Sequence, residues 1–385
     1  MNTIFSGGTP EPPGWRLLSH DGVEAAAGLA LDEAMLAGYA RDADPGWPPT
    51  LRLYTYRSHC ALVGRYQHLE AEVDLDACRR TGTGYSRRPT GGGAIVMSAG
   101  QLGVAVATRA PAEVNPRALL AQYAEGIVAG LAELGIEATF AGKNDLSVSG
   151  RKIAGLGLYL EPGGGLLFHS SILADLDIPF MLEVLHIPAA KLGGKAVAAV
   201  AERITTVSRE TGRSVGGADI REVVAAGFAK ALGVDLRPGA TTPAEEARAA
   251  TLEAERYGRE AWCFEHSPQP DATATSLFKT PEGLVRCYLA LHGPTIKSAL
   301  FAGDFNTVPE PLARFEASLR WARLEEATLE RLAASSCPDG TGLGVPPSDL
   351  VKAVLAAGQR AGRNAAEVAA PVRPSGSCYF PEAQA

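Results

Sequence analysis

The residues whose types and spacing could do chemistry are concentrated in three short stretches. The first is Ser86–Gly93, SRRPTGGG, two arginines and a proline leading into three consecutive glycines. Glycine lets the backbone come close to a ligand and adopt positive φ, so that several N–H groups can converge. Converging N–H groups beside guanidinium groups suit a phosphate or a carboxylate. Alone, the stretch reads equally as a surface turn flanked by two solvated cations. The second stretch is GKNDL, Gly142–Leu146, followed by GRKIAG, Gly150–Gly155; together they carry Asn144, Asp145 and Lys152. The third is LFHSSIL, Leu167–Leu173, with His169 in an otherwise apolar run. An ammonium at position 152 is a point charge able to contact two anions. Read singly, Lys152 is an exposed strand-end cation. Asp145 is as readily a turn residue as a cation ligand, and His169 as readily a satisfied core histidine as a ligand contact.

The elements that must position these residues follow from pattern. A helix is expected over Ala25–Tyr39, with Leu29, Leu31, Met35 and Leu36 on its apolar face and Asp32 and Glu33 in solvent. Strands are expected at Leu51–Tyr56 and Cys60–Val63, and a strand pair at Ala94–Met97 and Leu102–Thr108. Asn115 and Pro116 open a helix that ends near Leu134. Ile153–Leu160 and Leu166–Leu173 read as a hairpin, with Gly155 and Gly157 marking a close approach. A helix over Ala218–Leu232 precedes linker composition at Arg237–Thr242. Beyond it come a helix at Ala244–Arg256, a loop at Ser276–Gly283, a hairpin at Leu284–Phe301 and two helices. The expected division is a catalytic domain over 14–236, a small accessory domain over 244–336 and a poorly patterned, partly disordered tail over 337–385, with one short helix possible at Ser348–Ala357.

The chain has 385 residues, 43 acidic against 36 basic, giving a net charge of −7, which argues against a general nucleic-acid binder. Its six cysteines are scattered without CxxC spacing, so neither a zinc site nor a redox pair is suggested. The N-terminal residues lack a basic start and an apolar core, and no apolar run approaches the roughly 20 residues of a membrane span. A soluble cytoplasmic protein without nucleic-acid or membrane partners is the expectation.

Taken in order and at these separations, RRPTGGGA, GKNDL with GRKIAG, and LFHSSIL resemble the catalytic domain of lipoate–protein ligases, within the biotin/lipoate ligase superfamily. WRLLSHDG, ALDEAML and LRLYTYRSHCALVGRYQ resemble that family's first helix and strands, and Leu277–Ala334 resembles its accessory C-terminal domain more weakly. The resemblance implies an α+β fold, a mixed and largely antiparallel sheet with packed helices, plus a small α+β C-terminal domain. It implies ATP-dependent activation of lipoate, or a related acyl acid, to acyl-AMP with Mg²⁺. The acyl group then passes to a lysine of a lipoyl-acceptor protein, a lipoyl domain or a glycine-cleavage H-like protein. In that scheme Lys152 is catalytic and bridges carboxylate and phosphate. Arg88, Gly92, Gly93, Ala94, Ile95, Val96, Asn144 and Asp145 join it around the adenylate, Gly91 and His169 line the acyl pocket, and Asp145 holds Mg²⁺. Arg87 pairs structurally instead. The sequence departs from the family pattern at Met97 and Ser98, at Leu156, and at Ser170 and Ser171. These departures leave a non-catalytic lipoyl-binding homologue open as an alternative. An ATP-independent octanoyl or lipoyl transferase is a third, disfavoured because its thioester route needs a thiolate near the lysine, and no cysteine occurs between Cys78 and Cys263.

Overall fold

The computed structural model describes residues 14–186, 194–305, 309–336 and 344–364. In chain order its strands are β1 (Gly14–Val23), β2 (Thr50–Tyr56), β3 (Cys60–Val63), β4 (Gly84–Arg87), β5 (Ile95–Met97), β6 (Gln101–Arg109) and β7 (Thr139–Ala141). They continue with β8 (Asp145–Val148), β9 (Arg151–Leu160), β10 (Gly165–Leu173), β11 (Asp235–Pro238), β12 (Ala274–Thr280), β13 (Gly283–His292) and β14 (Thr295–Gly303). An eight-stranded mixed sheet has the order β11-β1-β2-β6-β10-β9-β8-β7. A three-stranded sheet, β4-β3-β5, carries the glycine stretch, and a second, β12-β13-β14, lies near the C-terminus. The architecture is the expected α+β class, with helices packed on a large mixed sheet and a small C-terminal sheet-and-helix region.

One face of the large sheet is covered by the helices Pro116–Ala132 and Arg221–Leu232. The first starts as the sequence indicates: Pro116 sits in its first turn and the Asn115 side chain accepts from the Ala118 N–H. The two helices cross closely because glycines meet there. A Cβ at Gly227 would lie 2.3 Å from the Gly126 carbonyl oxygen, and one at Gly126 would lie 2.6 Å from the Phe228 ring. The other face carries the helix Ala25–Ala34, packed with the Tyr54, Tyr56 and Leu167 side chains.

Three expectations are corrected. β5 pairs with β3 and not with β6, which lies between β2 and β10. The chain changes sheets at Ser98–Gly100, where the Ala99 carbonyl accepts from Gly217 and the Gly100 carbonyl from Asp175, so the intervening turn is held by other segments rather than closing a hairpin. Residues Ser276–Thr280, read as loop, belong to β12 and pair along β13. Asp32 and Glu33, placed in solvent by the sequence reading, are both paired, Asp32 fully buried and Glu33 partly buried. The short helix expected at Ser348–Ala357 is present and longer, Pro347–Asn364, and it buries Leu350, Val351 and Val354 against the small sheet. The N-terminal arm and the tail beyond residue 364 lie outside the described residues.

The helix Pro243–Leu252 was expected to open the accessory region. It packs on the helix Ala25–Ala34, and Arg16 reaches across to Glu245 at 2.5 and 2.8 Å. Its start is a complete capping box between Thr242 and Glu245, with Pro243 in the first turn.

Candidate active site

β8 and β9 form a hairpin closed by Ser149 and Gly150, both at positive φ (50° and 77°), the geometry of a two-residue turn between right-twisting strands. The ladder slips by one residue next to this turn: Ser147 faces Lys152, but Leu146 faces Ala154. Such a bulge re-aims a side chain. The Lys152 backbone is held from the other side, donating to the Arg203 carbonyl and accepting from the Thr205 N–H. Its ammonium lies 2.7 Å from Asp145 Oδ1. A Cβ at Gly155 would lie 3.2 Å from Lys152 Nζ, so the missing side chain there leaves the path of the lysine open.

Two residues further along β9, Gly157 does the same for the glycine bend. A Cβ at Gly157 would come within 3.1 Å of the Thr90 side chain. Gly157 is opposite His169 and Gly155 opposite Ser171 in the β9–β10 register. The ammonium, the bend and the imidazole are therefore arrayed along one strand pair.

The bend itself is tied from several directions. Arg88 donates to the Leu62, Gly91 and Gly93 carbonyls at 3.2, 2.8 and 2.8 Å. The Arg65 N–H donates to the Thr90 carbonyl, and the Arg88 N–H to Val63. Gly92 is at φ +93°, a conformation that favours glycine, and Gly64 packs so closely that a Cβ there would sit 2.1 Å from the Gly92 carbonyl oxygen. On the β9 side, the Asn144 side chain donates to the Leu156 carbonyl at 3.2 Å, and the Asn144 backbone carbonyl accepts from the Leu156 N–H.

A cavity of about 720 Å³ joins these parts. Lys152, Asn144, Asp145, Arg88 and His169 line it, and so do Gly91, Gly92, Gly93 and Ile95. Ala94 and Val96, expected to present backbone to the adenylate, are not among its lining residues. Their side chains pack into the apolar cluster behind the β4-β3-β5 sheet, as strand alternation requires for residues flanking Ile95. Leu29, Tyr54, Leu62 and Met97 give the cavity an apolar wall. The C-terminal region contributes the β12–β13 turn, including Glu282, which lies 3.7 Å from Lys143. Burial pulls the Lys143 ammonium below the usual lysine range, against the opposing pull of Glu282 and Asp304.

His169 is not a free ligand arm. Its Nε2 lies 2.9 Å from Asp32 Oδ2, and Arg52 Nη1 lies 2.6 Å from Asp32 Oδ1. A carboxylate only accepts, so this imidazole nitrogen is the donor. Asp32 is completely buried. Burial alone would raise its pKa, but Arg52 and the hydrogen bonds from His169 and Arg52 hold the carboxyl below its ordinary value. Sequence reading missed this acid, although the spacing could have found it: Asp32 falls three residues after Leu29 and four before Leu36, on the apolar stripe. Glu33 accepts from Arg256 Nη1 and from the Tyr257 hydroxyl at 2.6 Å.

No cysteine lines the cavity among the described residues. Burial pushes the Cys60, Cys263 and Cys287 thiols up, and Cys78 up to about 11, so all four are protonated near neutral pH. Among the described residues no group of three or more His, Cys, Asp or Glu is placed to hold a metal, and no helix is long and apolar enough to cross a membrane. Mg²⁺ is ordinarily held by one or two carboxylates, water and substrate phosphates, and a cavity with Asp145 at its wall fits that mode.

The chain was compared with known proteins. It is 34% identical over 273 residues to octanoyltransferase LipM of Symbiobacterium thermophilum, which spans 64% of this chain and 97% of that protein. It is 29% identical over 243 residues to lipoate-protein ligase A subunit 1 of Thermoplasma acidophilum, covering 61% of this chain and 90% of that one. Among solved structures, the bi-partite lipoate protein ligase of T. acidophilum, studied with its E2 lipoyl domain, superposes with a TM-score of 0.59 at 28% identity, over 67% of this chain and 98% of that chain. P. falciparum LipL1 in complex with lipoate superposes with a TM-score of 0.66 over 89% of this chain and 99% of that chain; at 16% identity this likeness concerns the fold. A model of the lipoyl protein ligase A/B catalytic domain matches residues 24–229, so the chain belongs to the lipoyl protein ligase A/B family.

Proposed function

We propose that the chain activates lipoate, or a related acyl acid, with ATP and then modifies a lysine of a lipoyl-acceptor protein. The observation that carries this reading is the placement of the Lys152 ammonium and the glycine bend on one cavity that is lined by no described thiol. In the first step a carboxylate oxygen of the acid attacks the α-phosphorus of ATP, the bond to the bridging oxygen breaks, and pyrophosphate leaves. Negative charge accumulates on the phosphoryl oxygens, where preorganised donors act most strongly. Lys152 faces both anions as a point charge and keeps them in line. The N–H groups of the bend face the phosphate, held in place by Arg88. Arg88 acts here through the carbonyls it grips. Mg²⁺ would sit with the nucleotide phosphates near Asp145, and it neutralises phosphate charge when bound. In the second step the ε-amine of the acceptor lysine attacks the acyl carbon, AMP leaves, and the amine proton passes to solvent.

The apolar wall of Leu29, Leu62 and Met97 suits an acyl chain, with His169 fixed by Asp32 beside it. An acceptor such as a lipoyl domain is supported by the T. acidophilum neighbour, described as a bi-partite lipoate protein ligase and its E2 lipoyl domain. A second reading, octanoyl transfer without ATP, is favoured by the relatives named octanoyltransferase. The two are separated by incubating the protein with lipoate or octanoate, ATP and Mg²⁺, and following pyrophosphate release and acyl-AMP by mass spectrometry. Acyl-AMP formation that disappears in Lys152→Ala is the expected result. Octanoyl transfer from an acyl-carrier protein without ATP, and no pyrophosphate, would establish the second reading instead.

A further inference from the structure

Residues 260–263 lie beyond the family match at 24–229, and the sequence reading gave them to the accessory domain. They close on the strand that leads into the glycine bend. Trp262 Nε1 donates to the Arg87 carbonyl at 2.8 Å. Arg87 answers, its Nε donating to the Trp262 carbonyl at 3.0 Å and its Nη2 to the Cys263 carbonyl at 2.6 Å. Arg87 Nη1 lies 2.9, 3.0 and 2.7 Å from the Gly64, Arg65 and Gln67 carbonyls. The side chain is fully buried, and all of these partners are carbonyl oxygens, so none of them cancels its charge. The guanidinium therefore clamps the end of β3 and residues 262–263 together by its fork of donors.

The glycine bend hangs from those same strand ends. Arg88 follows β4 and bonds to Val63, and Arg65 follows β3 and bonds to Thr90. Three glycines in succession would otherwise sample many conformations, and an anion cradle acts only when its donors are fixed beforehand. The indole that pins Arg87 is itself held: Arg65 lies 4.6 Å and Arg256 5.1 Å from the Trp262 ring centroid, and Arg65 pairs with Glu265.

Resting on the reading of the bend as the anion cradle of adenylate formation, we propose that Trp262 is a positioning residue for that bend and that the catalytic unit extends through Cys263. Trp262 touches no reacting atom. It fixes the Arg87 carbonyl and, through the reciprocal bond, the guanidinium that spaces β3 from the bend.

The test uses the full chain with Trp262→Phe, which keeps a ring for the two arginines and deletes the N–H. The expected result is a rise in KM for ATP of about threefold to tenfold, the worth of one buried hydrogen bond, with KM for the acid unchanged. Amide hydrogen exchange at residues 88–94 accelerates, while the β12-β13-β14 sheet keeps its protection. Arg87→Lys, which keeps the charge and loses the fork, gives the same bend-specific acceleration. Unchanged exchange at the bend, or acceleration spread evenly over the whole chain, overturns the proposal. If the wild-type protein uses no ATP, the adenylate reading falls, and the exchange measurement still decides whether Trp262 fixes the bend.

Discussion

Lys152 Nζ lies 2.7 Å from Asp145 Oδ1, beside the bulge where the β8–β9 ladder slips by one residue. The contact aims a flexible four-carbon side chain at the cavity before any substrate is present. It also gives the ammonium a partner that an incoming anion can share or replace. The lysine side chain is 24% exposed and the carboxylate 40%, so this ion pair contributes little to stability, and its value lies in direction.

Removing the ammonium removes the only side-chain cation proposed to contact both reacting anions. Lys152→Met, of similar length and uncharged, is expected to lower kcat for acyl-AMP formation by about 10²–10³, the usual loss for one preorganised charge donor. Thermal stability changes little because the pair is solvent-screened. Pyrophosphate release measured beside a melting curve checks both statements.

The bend tolerates no side chain at its contact with β3. In Gly64→Ala the new Cβ would sit 2.1 Å from the Gly92 carbonyl oxygen, and the obstacle is backbone rather than a side chain that can swing away. Overpacking of this kind costs about 1–3 kcal/mol or more. Denaturant unfolding should show that loss, and nucleotide binding should fall further than stability alone accounts for.

Asp32 is bound to both Arg52 and His169 without access to water. Asp32→Ala leaves a buried guanidinium without its acid, which is expected to cost about 3–5 kcal/mol. The pH dependence has a definite sign. The Asp32 pKa is held below the ordinary value of 3.8, so its stabilising contribution is present above that value and is lost as pH falls through the lower folded pKa. Urea midpoints taken from pH 5 downward test this, and the acid-side slope should be shallower in Asp32→Asn.

Glu316 behaves oppositely. It is partly buried against the small sheet, where it accepts from the Phe301 N–H at 2.7 Å, and its removal from water pushes its pKa from 4.5 to about 7. The folded state holds this proton more tightly than the unfolded chain does. Stability therefore falls as pH rises from 4.5 to about 7 and levels off above, a cost of about 3 kcal/mol at most. Glu316→Gln keeps an acceptor for Phe301 and needs no proton. It should raise stability at pH 8, leave it unchanged at pH 4, and flatten the profile between them.

The sequence alone determined the parts that depend on local chemistry. Glycines in SRRPTGGG, Pro116 after Asn115 and the apolar runs around Gly155 and His169 act through their immediate neighbours, so their elements are legible in order. The ordered set of three stretches was enough to place the chain in its family. Only the tertiary structure decided what depends on distant partners. Asp32 is an acid on a helix until Arg52 and His169 arrive from β2 and β10 to make its burial possible. β5 looks like the partner of β6 until other segments hold the turn between them and carry the chain from one sheet to another. Trp262, some 175 positions from Arg87 in the chain, has no local pattern that links it to the bend. Its role arises because a buried guanidinium must find carbonyl oxygens wherever the fold brings them, and that requirement has no spacing in the sequence.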